Sequence, residues 1–116
     1  MEWKLEKDTL TLYPQGDLDL VSAKRVREQL DGILCSRGSF HQLIVNLREV
    51  TFIDSSGLGM LIGCYKTMHG RQGRMMICDA SERVYRLLEL SGMKKLMPVM
   101  RQDASKTARG EGYGKR

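Results

Sequence analysis

Two adjacent serines, Ser55 and Ser56, follow Asp54 and precede a glycine-rich stretch that extends to Gly63. A serine hydroxyl in such a place can act as a nucleophile, accept a phosphoryl group or cap a helix. Capping is the simplest interpretation, because Asp and Ser are typical residues just before a periodic apolar run. The spacing therefore predicts a helix that begins around Ser55, and it leaves the chemistry of the two hydroxyls open.

Motifs for hydrolytic chemistry are missing around these serines. Neither serine stands in the GxSxG pattern of a serine-hydrolase elbow. The two histidines of the chain, His41 and His69, lie in polar segments that we expect to be exposed, so a Ser-His-acid triad is not favoured. Gly63 is followed by Cys64 and not by the lysine of a Walker A loop. We therefore predict that the chain is not an enzyme and has no catalytic residue.

Three glycines, Gly57, Gly59 and Gly63, lie within the predicted helix. Each glycine inside a helix costs about 0.5 to 1 kcal/mol relative to alanine, so a compensating role is expected. A helical wheel places a core stripe on Leu58, Leu61, Ile62 and Tyr65 and a neighbouring stripe on Ser55, Ser56, Gly59, Gly63, Lys66 and Gly70. Either the glycines allow close packing against the protein's own strands or first helix, or they form a smooth docking surface with a serine at its edge.

Phosphorylation of a serine at this position would change binding. A phosphoserine has a charge of about −1.5 to −2, and free N–H groups and the positive dipole of a helix N-terminus can accommodate it. In a desolvated interface the same charge repels an acidic partner group, and Asp54 beside it adds to the repulsion. We therefore expect a switch in which the modification turns binding off.

The composition bounds the class of protein. A chain of 116 residues with 41% hydrophobic and 28% charged residues predicts a single globular domain. No apolar run approaches the roughly 20 residues that span a bilayer, and no apolar signal region is evident, so we expect a cytoplasmic protein without membrane insertion. Cys35, Cys64 and Cys78 lack CxxC or histidine spacing, so we expect small buried side chains and no metal site.

The net charge of +5 is unevenly distributed. Residues 101–116 hold five Lys and Arg against two acidic residues, which leaves residues 1–100 nearly neutral. A nucleic-acid surface would need basic residues clustered with stacking aromatics on an ordered face. We therefore expect no direct nucleic-acid binding, a domain over residues 1–100, and a basic glycine-containing tail over residues 101–116 that is weakly helical or disordered.

Alternating and periodic apolar residues predict the elements that position the serines. The predicted strands are Trp3–Lys7, Leu10–Tyr13, Leu43–Leu47, Arg74–Cys78 and Leu96–Met100. The first predicted helix runs from a Ser22 cap to about Gly38, and the second begins at about Ser55. The third begins at Ser81, and its inward-facing residues are Val84, Leu87, Leu88 and Leu90. Pro14–Asp19 is predicted to be a turn-rich loop, and Phe52 and Ile53 lead into the second helix. This order predicts an α/β sandwich with a mixed, mostly parallel sheet of four to five strands.

Three segments of the chain resemble one family. They are Gly16–Asp19, Phe52–Gly59 and Arg86–Met93, with the sequences GDLD, FIDSSGLG and RLLELSGM. On these residues the chain, over roughly residues 3–100, resembles the STAS family, and specifically the sporulation-type anti-sigma factor antagonists that act on the anti-sigma F factor. The second segment is the most specific of the three.

The resemblance implies a STAS-like sandwich and a partner-switching cycle. In that family the unphosphorylated antagonist binds an anti-sigma factor that is also a serine kinase, and sporulation sigma factor F is released. The kinase uses ATP and magnesium to phosphorylate the serine directly after the motif's Asp, which maps to Ser55, and a PPM-type serine phosphatase reverses the step. The chain itself is expected to need no cofactor. We predict partner-binding residues at Asp19, Asp54, Ser56, Gly57, Gly59 and Gly63.

Two alternatives stay open at this point. The same fold could serve a general-stress sigma factor or another partner-switching system, and the glycine-lined helix start could instead hold a nucleotide or another small anion.

Members of the family usually end in an amphipathic helix, for which residues 101–116 have too few apolar side chains.

Overall fold

The computed structural model describes residues 1–102, so the predicted tail beyond Gln102 lies outside the described residues and its predicted character stays a prediction. The strands are β1 Glu2–Glu6, β2 Thr9–Tyr13, β3 Gln15–Leu18, β4 Gln42–Asn46, β5 Glu49–Ile53, β6 Arg74–Ala80 and β7 Val99–Arg101. The helices are α1 Leu20–Arg37, α2 Ser55–Gly70 and α3 Glu82–Leu90, with a 3₁₀ turn at Met93–Lys95.

The main sheet has five strands in the order β1-β2-β4-β6-β7. β1 and β2 form an antiparallel hairpin, and the remaining neighbours pair in parallel. Parallel neighbours require crossover connections, and helices supply them here. The predicted α/β fold with a mixed, mostly parallel sheet is confirmed.

A second, two-stranded sheet was not predicted. β3 and β5 pair in parallel with a register shift after Gly16, whose φ is +76°. The prediction of a loop over Pro14–Asp19 is therefore wrong. Three of the four β3 residues are exposed and polar or glycine, so no alternation marks the strand. Its pairing partner, β5, lies more than 30 positions away in the sequence.

The core forms one cluster. It combines alternate residues of the central strands, the inner stripes of the helices, and the turn after α3: Leu10, Leu12, Leu43, Val45, Ile77, Val26, Leu30, Ile33, Leu61, Val84, Leu88 and Met93. Period-2 strands and period-3.6 helices meet here, as the apolar pattern of the sequence predicts.

Several local predictions need correction. Leu90 is 79% exposed, because it lies two positions beyond the buried Leu88 and so points away from the core. Cys35 is exposed for the same reason, two positions after the buried Ile33, whereas Cys64 is buried as expected. The last strand lies at Val99–Arg101 and not at Leu96–Met100, because the preceding residues form the 3₁₀ turn and its exit.

Candidate functional site

The starts of α1 and α2 lie side by side. Their preceding strands, β3 and β5, end at the paired residues Leu18 and Ile53. The amide of Asp54 donates a hydrogen bond of 3.2 Å to the carbonyl of Leu18, which ties the second junction to the first. Asp19 and Asp54, the residues that follow the two strands, are thereby brought to one edge of the molecule.

Asp54 caps α2. Its Oδ1 accepts hydrogen bonds from the amides of Ser56 at 2.8 Å and of Gly57 at 3.1 Å. A carboxylate also suits the positive end of the helix dipole. The predicted helix start is correct, but these two amides are engaged by Asp54 and are not free for a phosphate.

Ser55 and Ser56 differ in exposure. Ser55 is the first residue of α2 and is exposed, whereas Ser56 is half-buried between the helices. Within residues 1–102 neither hydroxyl has a hydrogen-bonding partner. The hydroxyl of Ser55 is therefore the more accessible of the two to another protein.

No histidine lies near Ser55. His69 is at the far end of α2, about 20 Å along the helix axis at 1.5 Å per residue, and it stacks on Tyr65 with ring centroids 5.7 Å apart. His41 precedes β4, and its Nδ1 lies 3.0 Å from Oδ1 of Asp8. Both histidines are exposed as predicted. The site thus has no imidazole that could activate the serine hydroxyl.

Asp19 caps α1 and remains on the surface. Its Oδ1 accepts a 3.0 Å hydrogen bond from the amide of Ser22, and its own amide donates to Oγ of Ser22 at 2.9 Å. The cap is therefore Asp19, and Ser22, predicted as the cap, is the third residue of the helix and completes the capping box. The hydrogen bonds from Ser22 lower the pKa of the Asp19 carboxyl, so it is a charged, exposed group at neutral pH.

Gly57 has an internal structural role. A Cβ at this position would lie 2.6 Å from the carbonyl oxygen of Leu18 and 2.9 Å from Cγ2 of Ile53. The residue is buried, which contradicts its predicted place on a docking surface. Its lack of a side chain allows α2 to begin directly against the ends of β3 and β5.

Gly59 and Gly63 have no such internal role. A Cβ on Gly59 would meet nothing within 4 Å, and one on Gly63 would meet only Nη1 of Arg27 at 3.7 Å. Gly59 is exposed and Gly63 is half-buried. Packing within the described residues therefore does not require glycine at either position.

The buried face of α2 is rotated about the helix axis relative to the predicted core stripe. Its buried residues are Gly57, Met60, Leu61, Cys64 and Met68. Of the predicted core stripe, Leu61 is buried, whereas Leu58, Ile62 and Tyr65 are only half-buried. Methionine and cysteine contribute much of this face, which a wheel built on leucine, isoleucine and tyrosine overlooks. Burial of Cys64 also raises the pKa of its thiol.

The glycine stripe borders a groove between α1 and α2 of about 550 Å³. Its lining consists of Leu20, Ala23, Lys24 and Arg27 from α1 and Ser56, Gly59, Met60, Gly63 and Lys66 from α2. The groove begins next to Ser55 and was not foreseen from the sequence. The pattern of small residues on one stripe of α2 was its only signal.

Within residues 1–102, no helix is long and apolar enough to cross a bilayer. In the same range, no three His, Cys, Asp or Glu side chains are grouped so that they could hold a metal ion.

A sequence model described as the STAS domain matches residues 1–105 of the chain. The chain belongs to the STAS family. Among curated relatives, this STAS domain is 35% identical over 99 residues to the anti-sigma F factor antagonist of Paenibacillus polymyxa, covering 85% of this chain and 84% of the relative. It is 30% identical over 96 residues to the anti-sigma-B factor antagonist of Listeria monocytogenes, covering 81% of this chain and 82% of the relative.

Solved structures place the STAS fold in two settings. The anti-sigma factor antagonist SpoIIAA in its unphosphorylated form aligns with a TM-score of 0.73 at 22% identity, over 97% of this chain and 98% of that one. The STAS domain of a SulP transporter from Vibrio cholerae aligns with a TM-score of 0.65 at 22% identity, over 94% and 89%. At these identities the likeness shows the fold alone.

Proposed function

We propose that this chain is an anti-sigma factor antagonist that is switched by phosphorylation of Ser55. In its unphosphorylated form it binds an anti-sigma factor that is also a serine kinase, and sporulation sigma factor F is released. The 35% identity to an anti-sigma F factor antagonist supports the class and the sporulation assignment. The main structural support is the exposed hydroxyl of Ser55 at the start of α2, beside the capping carboxylate of Asp54.

Electrostatics at the two helix starts explain how such a switch would act. Asp54 already places a carboxylate at the start of α2, and Asp19 places a second one at the adjacent start of α1. A phosphate on Ser55 would add a charge of about −1.5 to −2 to this edge. A partner that has buried the edge would then face like charges and lose part of its desolvated contact.

The chemistry of the cycle belongs to the partners. The kinase supplies ATP and magnesium, a PPM-type serine phosphatase removes the phosphate, and this chain acts as substrate and ligand without a cofactor or an enzymatic step of its own. The absence of an imidazole near Ser55 agrees with this division of roles. A cycle that uses ATP and a sigma factor takes place in the cytoplasm, where we place the protein.

A phosphorylation assay tests the proposal. The chain is incubated with the anti-sigma kinase of its own organism, ATP and magnesium, and the modified residue is located by mass spectrometry. We expect one phosphate on Ser55, none on the Ser55→Ala variant, and normal labelling of the matched Ser56→Ala variant. Labelling that persists in Ser55→Ala would refute the assignment of the residue.

A sigma-B system is the second candidate, because a relative that is 30% identical is an anti-sigma-B factor antagonist. Binding assays with the anti-sigma F and anti-sigma-B factors of the same organism decide between the two by the larger affinity. The small-anion alternative has less support, since Asp54 occupies two of the amides that an anion would need. Calorimetry with nucleotides in the absence of a partner tests it directly.

A further inference from the structure

The groove between α1 and α2 has an apolar floor and an open top. Ala23 and Met60 form part of its floor and are buried, while Leu20 at its mouth is 71% exposed. The exposed side chain of Leu20 extends the apolar surface of the groove to its mouth. The groove extends along α2 from Ser56 to Lys66, about 15 Å at 1.5 Å per residue, which matches the length of a short helical segment.

Two glycines keep the groove open. Gly59 and Gly63 line it one helical turn apart, and neither is required by internal packing. Each lowers the stability of helix α2 by about 0.5 to 1 kcal/mol relative to alanine. The result of this loss is a groove wall without side chains. Glycines at such spacing let another helix approach the backbone closely.

Three cationic side chains line the same groove. Arg27 is neutralised within the protein, because its Nε lies 3.1 Å from Oδ1 of Asp31 and its Nη2 donates to Oγ1 of Thr67 at 2.6 Å. Lys24 on α1 and Lys66 on α2 are exposed, and neither has an ion-pair partner among the described residues. The groove therefore presents one unneutralised ammonium group on each wall.

We propose that this groove receives an amphipathic helix of a protein partner, with a narrow apolar stripe flanked by Asp or Glu side chains. The apolar floor fits the stripe, the glycines admit its backbone, and Lys24 and Lys66 pair with its carboxylates. The partner is the anti-sigma factor, so this inference rests on the proposed function. A phosphate on Ser55, next to the groove mouth, would then oppose an acidic helix directly.

Charge reversal tests the electrostatic part. Affinity for the anti-sigma factor of the same organism is measured by calorimetry for wild type, Lys24→Glu, Lys66→Glu and the double variant. We expect each single reversal to weaken binding about tenfold and the double variant about a hundredfold, with the loss reduced at high salt. Lys95→Glu changes the same charge on the exposed 3₁₀ turn outside the groove and should bind as wild type.

Filling the groove tests the steric part. Gly59→Leu places a large side chain where a Cβ meets nothing, and leucine favours helix, so the variant should fold and be at least as stable as wild type. We expect at least a tenfold loss of affinity. Gly70→Leu is the matched control, since Gly70 also has open space around its Cβ position but lies at the end of α2, outside the groove.

The outcomes separate this inference from the proposed function. Wild-type binding that Ser55→Asp weakens, but that the lysine reversals and Gly59→Leu leave unchanged, would overturn the groove assignment and retain the switch. No binding of any anti-sigma factor by wild type would overturn both. Self-association of wild type that the same variants abolish would assign the groove to a second copy of the chain and overturn the proposed acidic partner.

Discussion

The starts of α1 and α2 are built alike but use their serines differently. Both helices follow parallel strands of the small sheet, and an aspartate caps each one. At α1 the hydroxyl of Ser22 is part of the capping box. Its Oγ accepts a hydrogen bond from the amide of Asp19 and donates one to the carbonyl of Asp17 at 2.6 Å. At α2 the carboxylate of Asp54 satisfies two amides alone, and Ser55 takes no part in the cap.

Under the proposed function, this difference separates a serine that stabilises the fold, Ser22, from a serine that regulates binding, Ser55. Ser22 cannot be modified without loss of hydrogen bonds that hold the start of α1. Ser55 can be modified while both hydrogen bonds to Asp54 remain in place. The proposed phosphorylation of Ser55 would therefore leave the cap of α2 intact.

The largest expected effect is on partner affinity, and it comes from a negative charge at Ser55, the serine that is not part of a cap. Ser55→Asp should weaken binding to the anti-sigma factor by about a hundredfold, because it adds a like charge beside Asp54 in a desolvated contact. The free energy of unfolding should change little. Calorimetry and urea denaturation measure the two quantities, and Ser39→Asp, at an exposed position in the loop after α1, is the control. Unchanged affinity would contradict the electrostatic mechanism.

Two glycines of α2 should respond in opposite directions. Gly57→Ala should lower the free energy of unfolding by about 1 to 3 kcal/mol, since the new Cβ would lie 2.6 Å from the carbonyl oxygen of Leu18. Gly59→Ala should raise it by about 0.5 to 1 kcal/mol, because the position is open and alanine favours helix. Urea unfolding of both variants checks the contrast. A stabilised Gly57→Ala would show that the two helix starts are less tightly joined than described.

Loss of either capping carboxylate should cost stability, and the cost should be greater at α2. Asp54→Ala removes the acceptor of two amides and should lower the free energy of unfolding by about 1 to 2 kcal/mol. Asp19→Ala removes the acceptor of one amide, and Ser22 still accepts from the amide of residue 19, so about 1 kcal/mol or less is expected. Equal losses in thermal or urea unfolding would indicate that the second hydrogen bond of Asp54 adds nothing.

The smallest expected effect is the pH dependence of the α1 cap. Because the hydrogen bonds from Ser22 lower the pKa of Asp19 below its ordinary value of 3.8, its contribution is present above that value and is lost as the pH falls through the lowered pKa. Asp19→Asn keeps a cap that does not titrate. The variant should therefore lose less stability than wild type between pH 6 and pH 3, as measured by urea unfolding. An identical loss in both proteins would show that the titration of Asp19 does not contribute to the loss of stability at acid pH.

Much of the architecture was predictable because burial leaves a periodic pattern. The alternation of Leu10 and Leu12 and the apolar run around Val45 marked the central strands, and Val26, Leu30 and Ile33 marked α1. β3 was missed because a short strand with exposed polar residues has no such pattern. β5 does alternate, with Val50 buried between two exposed residues, but its last residues, Phe52 and Ile53, run directly into the start of α2 and so resemble the lead-in to that helix. The face of α2 was misplaced because Met60, Cys64 and Met68, and not aliphatic residues alone, fill the core there.

The sequence by itself determined that Asp54 and Ser55 begin a helix, that this helix contains more glycine than its own stability favours, and that FIDSSGLG is a STAS-like segment. These are local properties of neighbouring residues. Only the tertiary structure decided that Gly57 serves the fold while Gly59 and Gly63 line a groove, because that distinction depends on what lies across from each Cβ. It also decided that Ser55, and not Ser56, is the exposed hydroxyl, since α1 packs beside α2 and half-buries the second serine.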